Sequence, residues 1–339
     1  MNQIRIHFTE FWQGFEPENN FFTSLLRKKY DVVIDDRTPD IVFSSVNFWD
    51  WQQYDCKKVL FIGENLPPER SEFDYCFSFH PTAGDNFHLP IFRLDDAYKK
   101  CFYREAITRE QWQARKGVNF VCSNPRSPMR NWFYHKLSEE IPVSSGGRLF
   151  NTVGGPICDK SAFQNGFNFT IAFENTSWPG YLTEKLIQAY AFGTVPIYWG
   201  DPDVDRFIDP KSFIPFSGKK DFDKVLQTIK RGLEDFDFYQ SLYAQPLFKD
   251  NKEPQQLSDD TILKFLEKIV GAPRMIERDV RLASGYSREL WIKRFNSTRF
   301  ITYEEKWKVR FFEAFFLPEY LYIKTKKHIK LLLLQEKTI

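Results

Sequence analysis

The run Phe167–Lys185 reads FNFTIAFENTSWPGYLTEK. Its first seven residues carry no charge and have the apolar, aromatic make-up of a strand buried on both faces. The chain then leaves through Glu174 and Asn175, breaks at Pro179–Gly180, and enters a helix near Thr183, a residue type that caps helices. In open α/β sheets ligands bind at the carboxyl ends of strands, where helix N-termini converge and their unpaired N–H groups attract anions. Lys185 in the first helical turn is a cation at the end where the helix dipole disfavours one, which makes sense beside a diphosphate. Glu184 could grip sugar or ribose hydroxyls, and Tyr181 offers an aromatic face with a hydroxyl. The plainer alternative is an ordinary helix start with a solvated Glu-Lys pair.

Working outward, TEKLIQAYAFG reads as a helix closed by Gly193, and TVPIYW as the next strand. Upstream, VCSNPRSPMRNWFY repeats the strand-to-helix layout and puts Arg130 in a first turn, where a guanidinium can meet phosphate oxygens with two parallel donors. Two helix starts that each carry a cation suit a nucleoside-diphosphate leaving group. Arg126 nearby reads as a solvated loop charge. Toward the N-terminus IRIHF, DVVI, DIVFSSV and KVLFIGE read as strands, and NNFFTSLLRKKY as a helix. Glu64 follows the last of these strands, placed to act as a general base or simply to cap a turn.

Alternating strands and helices imply α/β architecture, with two domains facing one cleft. The boundaries fall at 1–112 for a first domain, 113–270 for a second and 271–339 for a helical C-terminal segment. The formal charge of +2 over 339 residues gives no support to a nucleic-acid partner. Aromatics are 18% of the chain, enough for sugar-stacking surfaces or for unusually aromatic cores. The five scattered cysteines suggest neither a zinc site nor a disulfide framework, and a reducing compartment explains them. The start of the chain reads as neither a signal peptide nor an anchor, and no window reaches the length of a membrane span. From Lys306 onward eight Lys and Arg face three Glu among clustered Phe and Leu. Such a tail either lies on an anionic membrane surface or packs back on the body.

The blocks FENTSWPGYLTEK and VPIYWGDPDVDRFIDPKSFI, with SNPRSPMRNWFYHKL, SSGGRLFNTVGG and FIGENLPP in this order, closely resemble the α1,3-fucosyltransferase family. The resemblance runs from about Val59 to about Phe213. It implies a GT-B glycosyltransferase: two Rossmann-like domains, an inverting reaction, GDP-β-L-fucose as donor, and no cofactor or metal. Carried over, Glu64 is the base, Arg130 and Lys185 hold the diphosphate, and Asn175, Tyr181 and Glu184 contact the donor. The acceptor implied is an oligosaccharide or glycoconjugate hydroxyl, such as O3 of GlcNAc in a lipopolysaccharide lactosamine unit. A bacterial, cytoplasmic member is implied, with peripheral membrane attachment if the tail binds lipid. The DxDxD spacing of Asp201, Asp203 and Asp205 imitates a metal motif, but Pro202 interrupts it and it reads as a solvated turn. Trp12, Trp49 and Trp51 either stack on acceptor sugars or pack. Two rival readings keep the fold: another linkage or nucleotide sugar, and a non-catalytic binding module.

Overall fold

The computed structural model describes residues 2–45, 50–65 and 73–274. Trp49 and nearly all of the C-terminal segment, including the basic aromatic tail, lie outside the described residues.

The first sheet holds six parallel strands: β1 (Gln3–Thr9), β2 (Asp31–Ile34), β3 (Ile41–Ser44), β4 (Lys57–Phe61), β5 (Tyr75–Ser78) and β6 (Asn86–His88). Their spatial order is β2-β1-β3-β4-β5-β6, a doubly wound pattern in which β1 lies between β2 and β3. All five residues of β4 are buried, as a central parallel strand covered on both faces requires. Helix α1 (Phe21–Leu26) begins at Asn20, whose side chain accepts from the Thr23 N–H. It drives Phe22 against Phe43, Phe61 and Phe77 at ring-centroid distances of 5.3, 5.7 and 5.2 Å. Much of the aromatic excess is thus spent on packing, each buried ring contributing about 1.5–3 kcal/mol.

A short 3-10 turn and α2 (Ala97–Lys100) lead through α3 (Arg109–Ala114) into the second sheet. Its parallel strands are β7 (Val118–Phe120), β8 (Val143–Ser145), β9 (Phe169–Phe173), β10 (Val195–Trp199) and β11 (Ile214–Pro215), in the order β11-β10-β9-β7-β8. Between them run α4 (Pro128–Glu140), α5 (Lys160–Asn165) and α6 (Glu184–Ala191), followed by α7 (Phe222–Glu234) and α8 (Phe236–Tyr243). Register sets Phe173 beside Trp199, so β9 and β10 end level at the carboxyl edge. Gly193 closes α6 at φ +83°. No helix among the described residues is long and apolar enough to cross a membrane.

Helix α9 (Asp259–Gly271), placed by the sequence reading with the second domain, packs instead on the first. Ile262, Phe265, Leu266 and Ile269 join the first sheet's core, and Phe265 meets Phe77 and Phe87. Lys57 of β4 donates to the terminal carbonyls of Ile269 and Val270. Periodicity showed the apolar stripe of α9 but not which lobe it would cover.

The lobes touch along a seam at their carboxyl edges. Asn65 donates to Thr176 at 2.9 Å, the Phe79 ring meets Tyr181 edge-on at 4.8 Å, and His88 Nε2 donates to the Gly180 carbonyl at 3.2 Å. His88 is buried, and that burial carries its pKa down to about 4, the Gly180 bond opposing and Arg206 and His80 assisting. Between about pH 6.5 and 4 the unfolded chain protonates this ring while the folded one resists, so its contribution is complete above pH 6.5 and is lost as pH falls. His88→Gln isolates that share. The stability of wild type relative to His88→Gln, from urea titrations, should drop by up to about 3 kcal/mol between pH 7.5 and pH 4. A flat difference refutes the seam assignment.

Candidate active site

Glu174, the residue after β9, has 0% relative exposure. Its carboxylate accepts from the Thr183 N–H at 2.7 Å, the Thr183 hydroxyl at 2.6 Å and Lys185 Nζ at 3.0 Å. Thr183 is the N-cap of α6 by position, yet its hydroxyl caps nothing within the helix and turns to Glu174 instead. A side chain at Gly200 would put its Cβ 2.3 Å from Glu174 Cγ, so only glycine leaves the carboxylate its place. Lys185 also reaches Thr183 Oγ1 at 2.9 Å and Glu184 at 3.4 Å. Burial alone would discharge the ammonium, but Glu174 and Glu184 outweigh it and hold Lys185 charged. Burial opposes ionisation of Glu184 as well; Lys185 and Lys160 win and take its carboxyl down to about 2.

Arg130, the third residue of α4, is 1% exposed. Its guanidinium donates to Asn175 Oδ1 at 2.7 Å and to the Asn124 carbonyl at 2.5 Å, and its Nε has no partner. Burial lowers its pKa. Arg130 and Lys185 line one small cavity at the carboxyl edge of the second sheet, together with Cys122, Gln164 and Lys160. Sequence reasoning missed Lys160. CDKSAF looks like any short helix start, and only the fold carries it beside Arg130 and Lys185.

The remaining expected residues gather here with changed parts. Tyr181 is buried and its ring packs in the seam, so it offers the cleft no open aromatic face. Gly180, at φ +83°, brings its backbone so near Phe79 that a Cβ would lie 2.4 Å from that carbonyl oxygen. Asp201 is not solvated: it is buried and accepts from the Gly180 N–H and the Asp203 N–H, both at 2.8 Å, and burial raises its carboxyl to about 6. The aspartate run thus anchors the Pro-Gly loop. Among the described residues no three His, Cys, Asp or Glu side chains could hold a metal ion. Trp51 is buried against Phe73 at 4.7 Å with the Lys58 ammonium over its ring, so packing takes up its faces, whereas Trp12 is 47% exposed and Trp178 of the SWPG loop 46%. Glu64 is solvent-accessible but walled by the cleft, and that desolvation raises its pKa against the pull of Lys185. Glu174, Glu184 and Lys185 are all within its electrostatic reach across the seam.

The chain matches two family models in succession. Residues 6–94 match the alpha-(1,3)-fucosyltransferase FucT N-terminal domain, and residues 112–250 the C-terminal domain of glycosyltransferase family 10 (fucosyltransferase). The chain belongs to the fucosyltransferase family. Among its relatives, the alpha-(1,3)-fucosyltransferase FucT of Helicobacter pylori is 31% identical over 309 residues, covering 76% of this chain. This chain spans 64% of that relative's length. An alpha-(1,4)-fucosyltransferase of Arabidopsis thaliana is 30% identical over 137 residues, 34% of each chain. The crystal structure of an alpha1,3-fucosyltransferase with GDP-fucose superposes with a TM-score of 0.69 at 27% identity, covering 82% of this chain and 93% of the other.

Removing one member of the Glu174–Lys185 pair strands the other in a dry site. Lys185→Met should lower the unfolding free energy by about 2–4 kcal/mol, the part-exposed lysine trimming the full cost of a broken buried pair. Glu174→Gln/Lys185→Met should recover much of that loss in urea titrations. Equal losses in the single and double variants would show that the buried charge is not what the lysine compensates.

Proposed function

We propose that this protein transfers L-fucose from GDP-β-L-fucose to a sugar hydroxyl with inversion of the anomeric centre, O3 of a GlcNAc residue in a lactosamine-type glycan being the acceptor. The observation that carries the reading is the opposition of Glu64 to a cation-lined cavity across the seam. The structural relative holding GDP-fucose supports the donor, and the Helicobacter pylori relative supports the linkage.

In this reaction Glu64 removes the acceptor proton as the oxygen attacks the anomeric carbon from the face opposite GDP. Its raised pKa makes it a stronger base than a solvated glutamate, and the cleft supplies the shift. Negative charge grows on the departing diphosphate, where preorganised cations contribute most. Arg130 meets it with donors now spent on Asn175 and a carbonyl. The contacts of Lys185 are already taken up, and the one to Glu184 is the longest at 3.4 Å. A phosphate oxygen displaces that contact, leaving Glu184 to accept from ribose or fucose hydroxyls. The same step positions Asn175 beside the donor. With charge supplied in this way, the transfer needs no metal ion.

Glu64→Gln should reduce kcat by about 10²–10⁴-fold with GDP affinity unchanged. In wild type, kcat/KM should fall on the acid side through a pKa above the ordinary 4.5 of a glutamate, because the protonated base is inactive. GDP release with a lactosamine acceptor and the linkage of the isolated product check both points. Wild-type turnover in Glu64→Gln would dismiss the base assignment, and an α1,4 product the proposed linkage.

A further inference from the structure

The three cations around the cavity are not equivalent. Lys185 is matched by Glu174 and Glu184, so its charge is largely spent within the protein. Arg130 has only neutral partners, an amide and a carbonyl. Lys160, the first residue of α5, resembles Arg130 in this respect. Its Nζ donates to Gln188 Oε1 at 2.5 Å, and among the described residues it makes no ion pair. Gln188 in turn donates to Asp95 Oδ2, on the segment that leaves the first lobe, so the amide is fixed with its oxygen toward the lysine. Glu184 attracts Lys160 through space, and Lys185 repels it.

A half-buried ammonium beside two other cations, hydrogen-bonded to one amide and attracted by Glu184 and Asp95 only through space, is a costly arrangement for a protein that gains nothing from it. A solvated surface lysine would not need an amide held in place by a carboxylate. The cost is offset when an anion binds beside these three cations. Arg130 and Lys160 are the two cations here without an ion pair among the described residues, the three cations exceed Glu174 and Glu184 by one charge, and the pyrophosphate of a nucleotide sugar carries about two negative ones.

We propose that Lys160 is a donor-binding residue, a second cation held by no ion pair that meets the nucleotide's phosphates, aimed by the Gln188–Asp95 pair. The inference rests on the nucleotide-sugar reading above and adds to it a residue from outside the donor motif.

Calorimetric titration of the full chain with GDP, UDP and inorganic pyrophosphate, on wild type, Lys160→Gln, Lys160→Met and Lys160→Arg, tests it. Lys160→Gln should weaken GDP and pyrophosphate roughly tenfold or more, and Lys160→Arg should recover most of the loss. Lys160→Met removes a charge whose burial outweighs its attraction to Glu184 and Asp95, so its melting temperature without ligand should equal or exceed that of wild type, while the upward shift produced by GDP shrinks. Wild-type affinity for GDP and pyrophosphate in Lys160→Gln and Lys160→Met overturns the proposal. So does a marked fall in their melting temperature without ligand, which would make Lys160 a structural residue. Should wild type bind pyrophosphate and UDP but not GDP, with the same loss in Lys160→Gln, the fucosyl reading fails and Lys160 stands. Should wild type transfer fucose and Lys160→Gln bind GDP unimpaired, Lys160 fails alone.

Discussion

A carboxylate sealed from solvent at the end of β9 organises the second lobe's working edge. Glu174 holds the start of α6 by its backbone and hydroxyl through Thr183, and fixes the ammonium of Lys185 two residues further on. One buried charge thereby sets the entry of a helix and the orientation of a cation. Such an arrangement is stable only because every donor around it is supplied, and because Gly200 leaves the room. The cavity, the loop over it and the cations that line it are all referred to this point.

The loop between Asn175 and Thr183 is held from both sides. Its own lobe grips it through Asp201, and the first lobe through Asn65, Phe79 and His88. Glu64 immediately precedes Asn65, so the bond from Asn65 to Thr176 ties the chain after β4 to the loop between Asn175 and Thr183. Trp178, on the loop held between the two lobes, is exposed.

Central strands were legible in the sequence because parallel strands covered on both faces are unbroken apolar runs. FTIAF, VPIYW and VLFI (Val59–Ile62) announce themselves in this way, and Gly193 marks its helix end by a backbone conformation that glycine tolerates. The edge strand Val143–Ser145 and the short helix Lys160–Asn165 carry no such signal, three and six residues being too few for a period to show. Arg130, Asn175, Glu184 and Lys185 were legible as a set because strand end and helix start fix where they point. The solvated Glu-Lys pair imagined for the helix start proves to be half of a buried cluster, since no local pattern reveals that Glu174 lies beneath it. Lys160 and the aspartate of the Gly180 loop were hidden for the same reason: their partners are distant in sequence and meet only through the packed sheet.

The return of α9 to the first sheet makes that lobe discontinuous in the chain. Its core is assembled from residues near the N-terminus and from a helix that follows the entire second lobe. An exchange of first-lobe modules between relatives must therefore transplant two separated pieces, Gln3–His88 and Asp259–Gly271, as a matched set. A chimera joined once, between the lobes, would pair one protein's sheet with another's covering helix, and its failure would report mismatched packing rather than sugar preference.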